Sequence, residues 1–186
     1  MTAPSWHGES FVDDLLADPI EVGTVRARVP RSSGIYAWWA RRAVLATVAG
    51  PAHPALPDIE LLYVGIATDL RSRLASNHLG RTGSSTLRRT LAGLLLDEQR
   101  YRTRWTTDRV VLVDVDELRL TEWMQAHLQV SWCEHRSPRV IEAQVIRVLR
   151  PPLNVDHAEG AVVDLIRAAR RRYRASAGPR PAGSGP

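Results

Sequence analysis

Apolar and polar positions alternate in several rhythms along this chain, and those rhythms divide it into elements. Near the start, Phe11, Val12, Leu15 and Leu16 recur at helical spacing until Pro19 stops the run. Ile35 to Trp39 and Leu61 to Ala67 are short apolar runs that predict strands. Between them, Arg41 to Asp58 carries Pro51, Pro54 and Pro57, which predicts a long loop with at most one helical turn. Asp69 to Leu79 predicts a helix, broken by Gly80-Arg81-Thr82-Gly83. Ser85 to Arg100 places Leu87, Leu91, Leu94 and Leu95 on one helical face. Val110 to Val115 predicts a strand, Thr121 to Leu128 a short helix, and Gln129 to Cys133 another strand. Ser137 as N-cap and Pro138 as first helical residue open a helix running to Arg150, ended by Pro151-Pro152. A basic amphipathic helix follows over about Ala161 to Ser176.

This pattern divides the chain into an N-terminal arm (1–30), a central domain (31–156), a basic helix (157–176) and a disordered Gly/Pro/Ala/Ser tail (177–186). The 186 residues, 44% of them hydrophobic, suffice for one core of ordinary size. The single cysteine, Cys133, excludes an internal disulfide and fits a reducing compartment. With no membrane-length apolar run and no signal-peptide pattern, a soluble cytoplasmic protein is expected. All 25 basic residues are arginine and the net charge is +5, which favours a polyanionic partner without separating a nuclease from a binder.

Candidate chemistry centres on Glu142. On a helix turning about 100° per residue, Val145, Ile146 and Leu149 lie within roughly 60° of it. Ile141 and Val148 continue that apolar face, and Arg139, Arg147 and Arg150 lie on the other side. A carboxylate at the centre of a buried face costs free energy unless an arginine pairs with it or a cation binds it. A second candidate is Arg81 to Arg89. Ser84, Ser85 and Thr86 can cap a helix whose first turn then holds Arg88 and Arg89, against the helix dipole. A bound phosphate would resolve that conflict, and so would pairing with Asp97 or Glu98.

Gly34-Ile35-Tyr36 and Tyr63-Val64-Gly65, followed by Arg73 ten residues after Tyr63 and by Glu142 and Asn154 twelve apart, resemble the GIY-YIG nuclease superfamily over roughly residues 33–155. The chain is similar to single-domain, actinobacterial-type members, which share the His78 offset and the following Gly-Arg-Thr-Gly-Ser-Ser-Thr-Leu-Arg-Arg segment. The resemblance implies an α/β fold, with a small three-stranded antiparallel sheet flanked by helices in β-β-α-α-β-α order. It implies a DNA endonuclease in which Glu142 is the sole protein ligand of Mg²⁺ or Mn²⁺ and Arg73 binds the scissile phosphate. Tyr36 and Tyr63 would orient or deprotonate water, and Asn154 would complete the catalytic set. Strand alternation puts Tyr36 with Trp38, and Tyr63 with Leu61 and Gly65. Arg71, Arg81, Ser84, Ser85, Thr86, Arg88 and Arg89 are the candidate DNA contacts.

His78 fits the family pattern least well. Many members carry a histidine or tyrosine four residues after the arginine, where this chain has Asn77. His78 is five away, about 140° around an ideal helix. Either the helix loosens and the imidazole swings into the site, or it packs below Leu74. The same scaffold could also serve a non-cleaving nucleic-acid binder. The Trp38-Trp39 pair and the proline-rich loop leave open an enzyme turned toward a small molecule. One site nicks one strand, so a monomer or a homodimer is compatible with the sequence.

Overall fold

A computed structural model describes residues 10–45, 47–155 and 160–181; residues 1–9 of the expected arm and 182–186 of the expected tail lie outside the described residues. In chain order the first elements are α1 (Ser10–Leu15), β1 (Ile20–Glu21), α2 (Val25–Arg28), β2 (Gly34–Arg41) and β3 (Ile59–Ala67). Next come α3 (Leu70–Ser72), a π-helical turn (Arg73–His78), α4 (Thr86–Leu94), β4 (Thr103–Trp105) and β5 (Val110–Leu112). The last are α5 (Asp114–His127), β6 (Leu128–Glu134), α6 (Pro138–Leu149) and α7 (Ala161–Ala175). No helix among the described residues is long and apolar enough to cross a membrane.

The α/β architecture is the expected one, built on an antiparallel sheet in the order β1–β6–β2–β3. Its three long strands are the predicted ones. The fourth, two-residue β1 pairs Ile20 with Val130, so residues of the expected arm extend the sheet. β4 and β5 form a separate hairpin. The sheet buries both faces. Tyr36, Trp38 and Leu62 face a core with Leu70, Leu87, Leu91, Leu120 and Ile166. Ile35, Ala37, Trp39, Leu61 and Val64 face Leu15 of α1 and Val145 and Ile146 of α6. Each fully buried aliphatic side chain contributes about 1.5–3 kcal/mol. The basic helix is built into this body: α7 meets α4 so closely that a Cβ on Gly93 would lie 2.6 Å from the Ala169 carbonyl oxygen.

Four local expectations are corrected. Val113 to Val115 do not continue a strand, because α5 begins at Asp114, where Asp114, Asp116 and Glu117 suit the positive end of the helix dipole. The leucine-faced helix stops at Leu94, and Arg100 takes a left-handed conformation, φ 51°, in the turn that follows. Val148 lies outside the apolar face of α6, with 38% of its surface exposed. Tyr63 does not share a face with Leu61. A β-bulge sets both Leu62 and Tyr63 against Trp38, so Leu61 turns to the α6 side while Tyr63 stays with Tyr36.

Candidate active site

The site is assembled where β2, β3 and the π turn meet. Tyr36 lies directly opposite Gly65 in the β2–β3 ladder. A Cβ on Gly65 would stand 2.5 Å from Tyr36 Oη and 2.9 Å from a Tyr63 ring carbon. Glycine is therefore needed there because the Tyr36 ring lies across its backbone. The Tyr36 and Tyr63 rings lie 6.5 Å apart on the same face.

The π turn resolves the offset of His78. Its i→i+5 bonding brings residue i+5 back over residue i, whereas an α-helix would carry it about 140° away. Arg73 and His78 thus converge on one atom. Tyr36 Oη is hydrogen bonded to His78 Nε2 at 2.7 Å and accepts from Arg73 Nε at 3.3 Å. Between the two alternatives left by the sequence, the loosened helix is the one formed.

A buried scaffold holds the imidazole in place. His78 Nδ1 is 2.7 Å from Ser85 Oγ, which also caps α4 by accepting from the Arg88 backbone N–H at 3.1 Å. The Arg88 guanidinium donates to the His78 carbonyl oxygen at 3.1 Å and to Glu117 Oε2 at 2.9 Å. Glu117 in turn accepts from the Thr82 N–H and hydroxyl. Sequence reasoning missed Glu117 and Thr82, and its only signal was the acidic first turn of α5. It also gave Ser85 and Arg88 the wrong task. Both are fully buried, so they cannot reach a DNA backbone; they position His78.

Burial sets the protonation states. It raises the Tyr36 phenol well above its ordinary value of 10.0, with Tyr63 and Glu142 adding to the rise and Arg73 opposing it. His78 is held well below its ordinary 6.5, first by burial, then by the Arg73 and Arg88 charges. Both groups are therefore neutral near pH 7.

The remaining predicted residues fall in three places. Glu142 is half-buried on α6, and its charge reaches Tyr36 although α6 packs on the opposite sheet face. Asn154 brackets the backbone of Val64, accepting from its N–H at 2.9 Å and donating to its carbonyl at 2.8 Å. That is the geometry of a residue that positions the Tyr63–Gly65 strand. Arg71 Nε donates to the Val29 carbonyl, and Arg81, Ser84 and Thr86 are exposed. Beside Arg73, a cleft of about 590 Å³ is bordered by Asn77 and by Arg136 and Arg139, two basic residues the sequence did not single out for this site.

No group of three or more His, Cys, Asp or Glu with metal-binding geometry occurs among the described residues. The oxygen donors are two phenols and, from α6, the Glu142 carboxylate, whose charge acts on Tyr36. Such a set fits a hard divalent cation that keeps most of its ligands as water and phosphate oxygens.

Comparison with curated proteins and with solved structures gives no match. A family model described as the GIY-YIG catalytic domain matches residues 34–176, from the first glycine of the site to the end of α7. Taken with the assembled site, that match over most of its length shows that the chain belongs to the GIY-YIG family of nuclease catalytic domains.

Proposed function

We propose that the protein is a metal-dependent endonuclease that hydrolyses DNA phosphodiesters with one divalent ion, Mg²⁺ or Mn²⁺. The observation that carries this reading is the convergence of His78 Nε2 and Arg73 Nε on the Tyr36 hydroxyl. Glu142 would hold the ion, whose chemistry is to offset the carboxylate charge near Tyr36 and to make water a better acid and nucleophile.

The chain's own residues then move the proton. A phenol pushed well above 10.0 does not persist as phenolate, so Tyr36 works as a relay. With Nδ1–H donating to Ser85 Oγ, His78 presents its Nε2 lone pair to the Tyr36 O–H. As the water oxygen bonds to phosphorus, its proton passes to Tyr36 Oη and the phenol proton passes to His78 Nε2, while the P–O bond to the departing strand breaks on the opposite side and its oxygen takes a proton from solvent. Arg73, oriented by Tyr36 Oη and by the Ser84 carbonyl at 3.2 Å, stabilises the charge that develops on the phosphate. Tyr63 packs beside this pair, and Asn154 keeps its strand in register.

Incubating supercoiled plasmid with Mg²⁺ or Mn²⁺ tests the reading. Wild-type protein should nick the plasmid, and Glu142→Ala should lose about 10³-fold in rate or more. Tyr36→Phe should lose about 10²-fold or more, with a folded circular-dichroism spectrum. Shifted plasmid mobility without nicking by wild type would instead favour a binder, and neither effect would point to a small-molecule substrate.

A further inference from the structure

A cavity of about 660 Å³ lies between the start of α4, the β4–β5 hairpin and α7, and none of the six catalytic candidates lines it. Its walls carry Arg89, Arg109, Arg170, Arg174 and Arg180 against a single carboxylate, Asp108. Asp108 is already paired with Arg109. Arg89 Nη1 donates to the carbonyls of Thr82 at 2.9 Å and Gly83 at 3.2 Å, and its Nη2 to Thr86 Oγ1 at 3.0 Å. These neutral acceptors fix the guanidinium without cancelling its charge. Burial lowers the Arg89 pKa, and repulsion from Arg109, Arg170 and Arg174 lowers it further while Tyr173 opposes. Like charges gathered at a partly desolvated site raise the free energy of the empty pocket and favour an anion in it.

The pocket is also connected to the catalytic residues. Arg109 is shared with a second cavity of about 550 Å³, which runs past Arg104 and Arg81 to Ser84. The Ser84 carbonyl accepts from Arg73. Arg81, Arg104 and Arg109 thus lie between the catalytic arginine and the α4–α7 pocket, in a cavity that Asp114, the partner of Arg104, and Glu117 also line. The basic face of α7 divides at the pocket: Arg170 and Arg174 line it, while Arg171 and Arg172 lie outside it, exposed.

We propose that this pocket is a second phosphate site, which holds the backbone of the nucleic-acid strand as it extends away from the catalytic groove. The proposal rests on the nuclease reading for its ligand, although the chemistry recognised is that of a phosphate group. Trp105 and Tyr173 supply aromatic surface beside the phosphate; their polar atoms are already engaged, Trp105 Nε1 with the Gly178 carbonyl at 2.9 Å and Tyr173 Oη with that of Val110 at 3.3 Å. The arginines are themselves held in place, Arg170 by Thr90 Oγ1 and the Leu153 carbonyl and Arg109 by the Gly83 carbonyl, and they act on the anion through their gathered charge.

Two variants that remove equal charge provide the test. Arg174→Ala/Arg180→Ala empties the pocket of two exposed cations, and Arg171→Ala/Arg172→Ala removes two from α7 outside it. Both are placed on a Glu142→Ala background, and binding to a DNA duplex is followed across a salt series. The pocket variant should bind about tenfold more weakly and lower the slope of log affinity against log salt by about 2, with a smaller change in the control. Equal changes in the two variants, or none in the pocket variant, would overturn the proposal. If the parent protein binds no duplex, the nuclease reading falls and the strand is not the ligand. Inorganic phosphate then identifies the source: thermal stabilisation of the parent beyond chloride at equal ionic strength, lost in the pocket variant, would assign a free phosphate. No stabilisation would remove the phosphate site altogether.

Discussion

The two faces of β2 are made by the same eight residues and do different work. On one face Ile35, Ala37 and Trp39 pack on Leu15, Val145 and Ile146 in a layer that is almost wholly apolar. Its main polar feature is self-contained: Trp39 Nε1 donates to Ser131 Oγ at 2.8 Å, and that hydroxyl donates to the Leu15 carbonyl. On the other face Tyr36 and Trp38 border an imidazole, and behind it lie a buried guanidinium and a carboxylate. A buried polar network is stable only when its members are satisfied together, so damage at one member spreads. An apolar layer loses only the volume that is removed. The difference shows how one strand can carry both chemistry and structure: alternation sends the reactive groups to one side and leaves the other side to hold Glu142's helix.

Three substitutions break or sharpen this contrast. Arg88→Ala should have the largest effect, destabilising the protein by about 3–5 kcal/mol, because Glu117 is left as a buried charge without its partner. Urea denaturation measures the loss, and the nicking rate should fall with it, because the His78 carbonyl and the α4 start shift together. A loss below about 1 kcal/mol would mean that the polar face is no more sensitive than the apolar one.

The next effect concerns pH. The folded protein holds His78 below its unfolded value of 6.5, so the unfolded chain binds the extra proton. The stabilisation from this group is fully present above about pH 6.5 and is lost as pH falls below it, at up to about 1.4 kcal/mol per pH unit. Comparing His78→Gln with wild type between pH 7 and about pH 5 should show a shallower slope in the variant. Identical slopes would show that His78 is not held neutral.

The smallest effect is expected on the apolar face. Ile146→Val removes one methylene from that layer and should cost about 1 kcal/mol, with the slope of stability against pH unchanged. A change in that slope would join the two faces into one unit.

Much of the fold was legible from the chain because its signals are local. The runs around Tyr36 and Tyr63, the Ser137-Pro138 start of α6 and the apolar stripe of α7 each depend on neighbours a few residues away. The expected roles of Ser85 and Arg88 failed for a physical reason. A serine cap followed by arginines in a first helical turn looks the same in sequence whether its partner is a phosphate or a carboxylate. That partner, Glu117, is 29 positions from Arg88, and no local pattern announces it. The expected pairing of Leu61 with Tyr63 on one face failed likewise, because a bulge shifts strand alternation without leaving a mark in the residues themselves.

By itself, the sequence determined the identities and spacing of Tyr36, Tyr63, Arg73, Glu142 and Asn154, and with them the family. It also determined that Gly65 stands where a side chain would strike Tyr36, although the reason becomes visible only when the strands pair. Tertiary structure alone decided the place of His78. A five-residue interval lies on different helix faces in α and π geometry, and the choice between them is made by Tyr36, Ser85 and Arg88 closing around the ring. It also decided that Arg88 would turn inward to Glu117 while its neighbour Arg89 joined the basic pocket, because successive residues on a helix point about 100° apart.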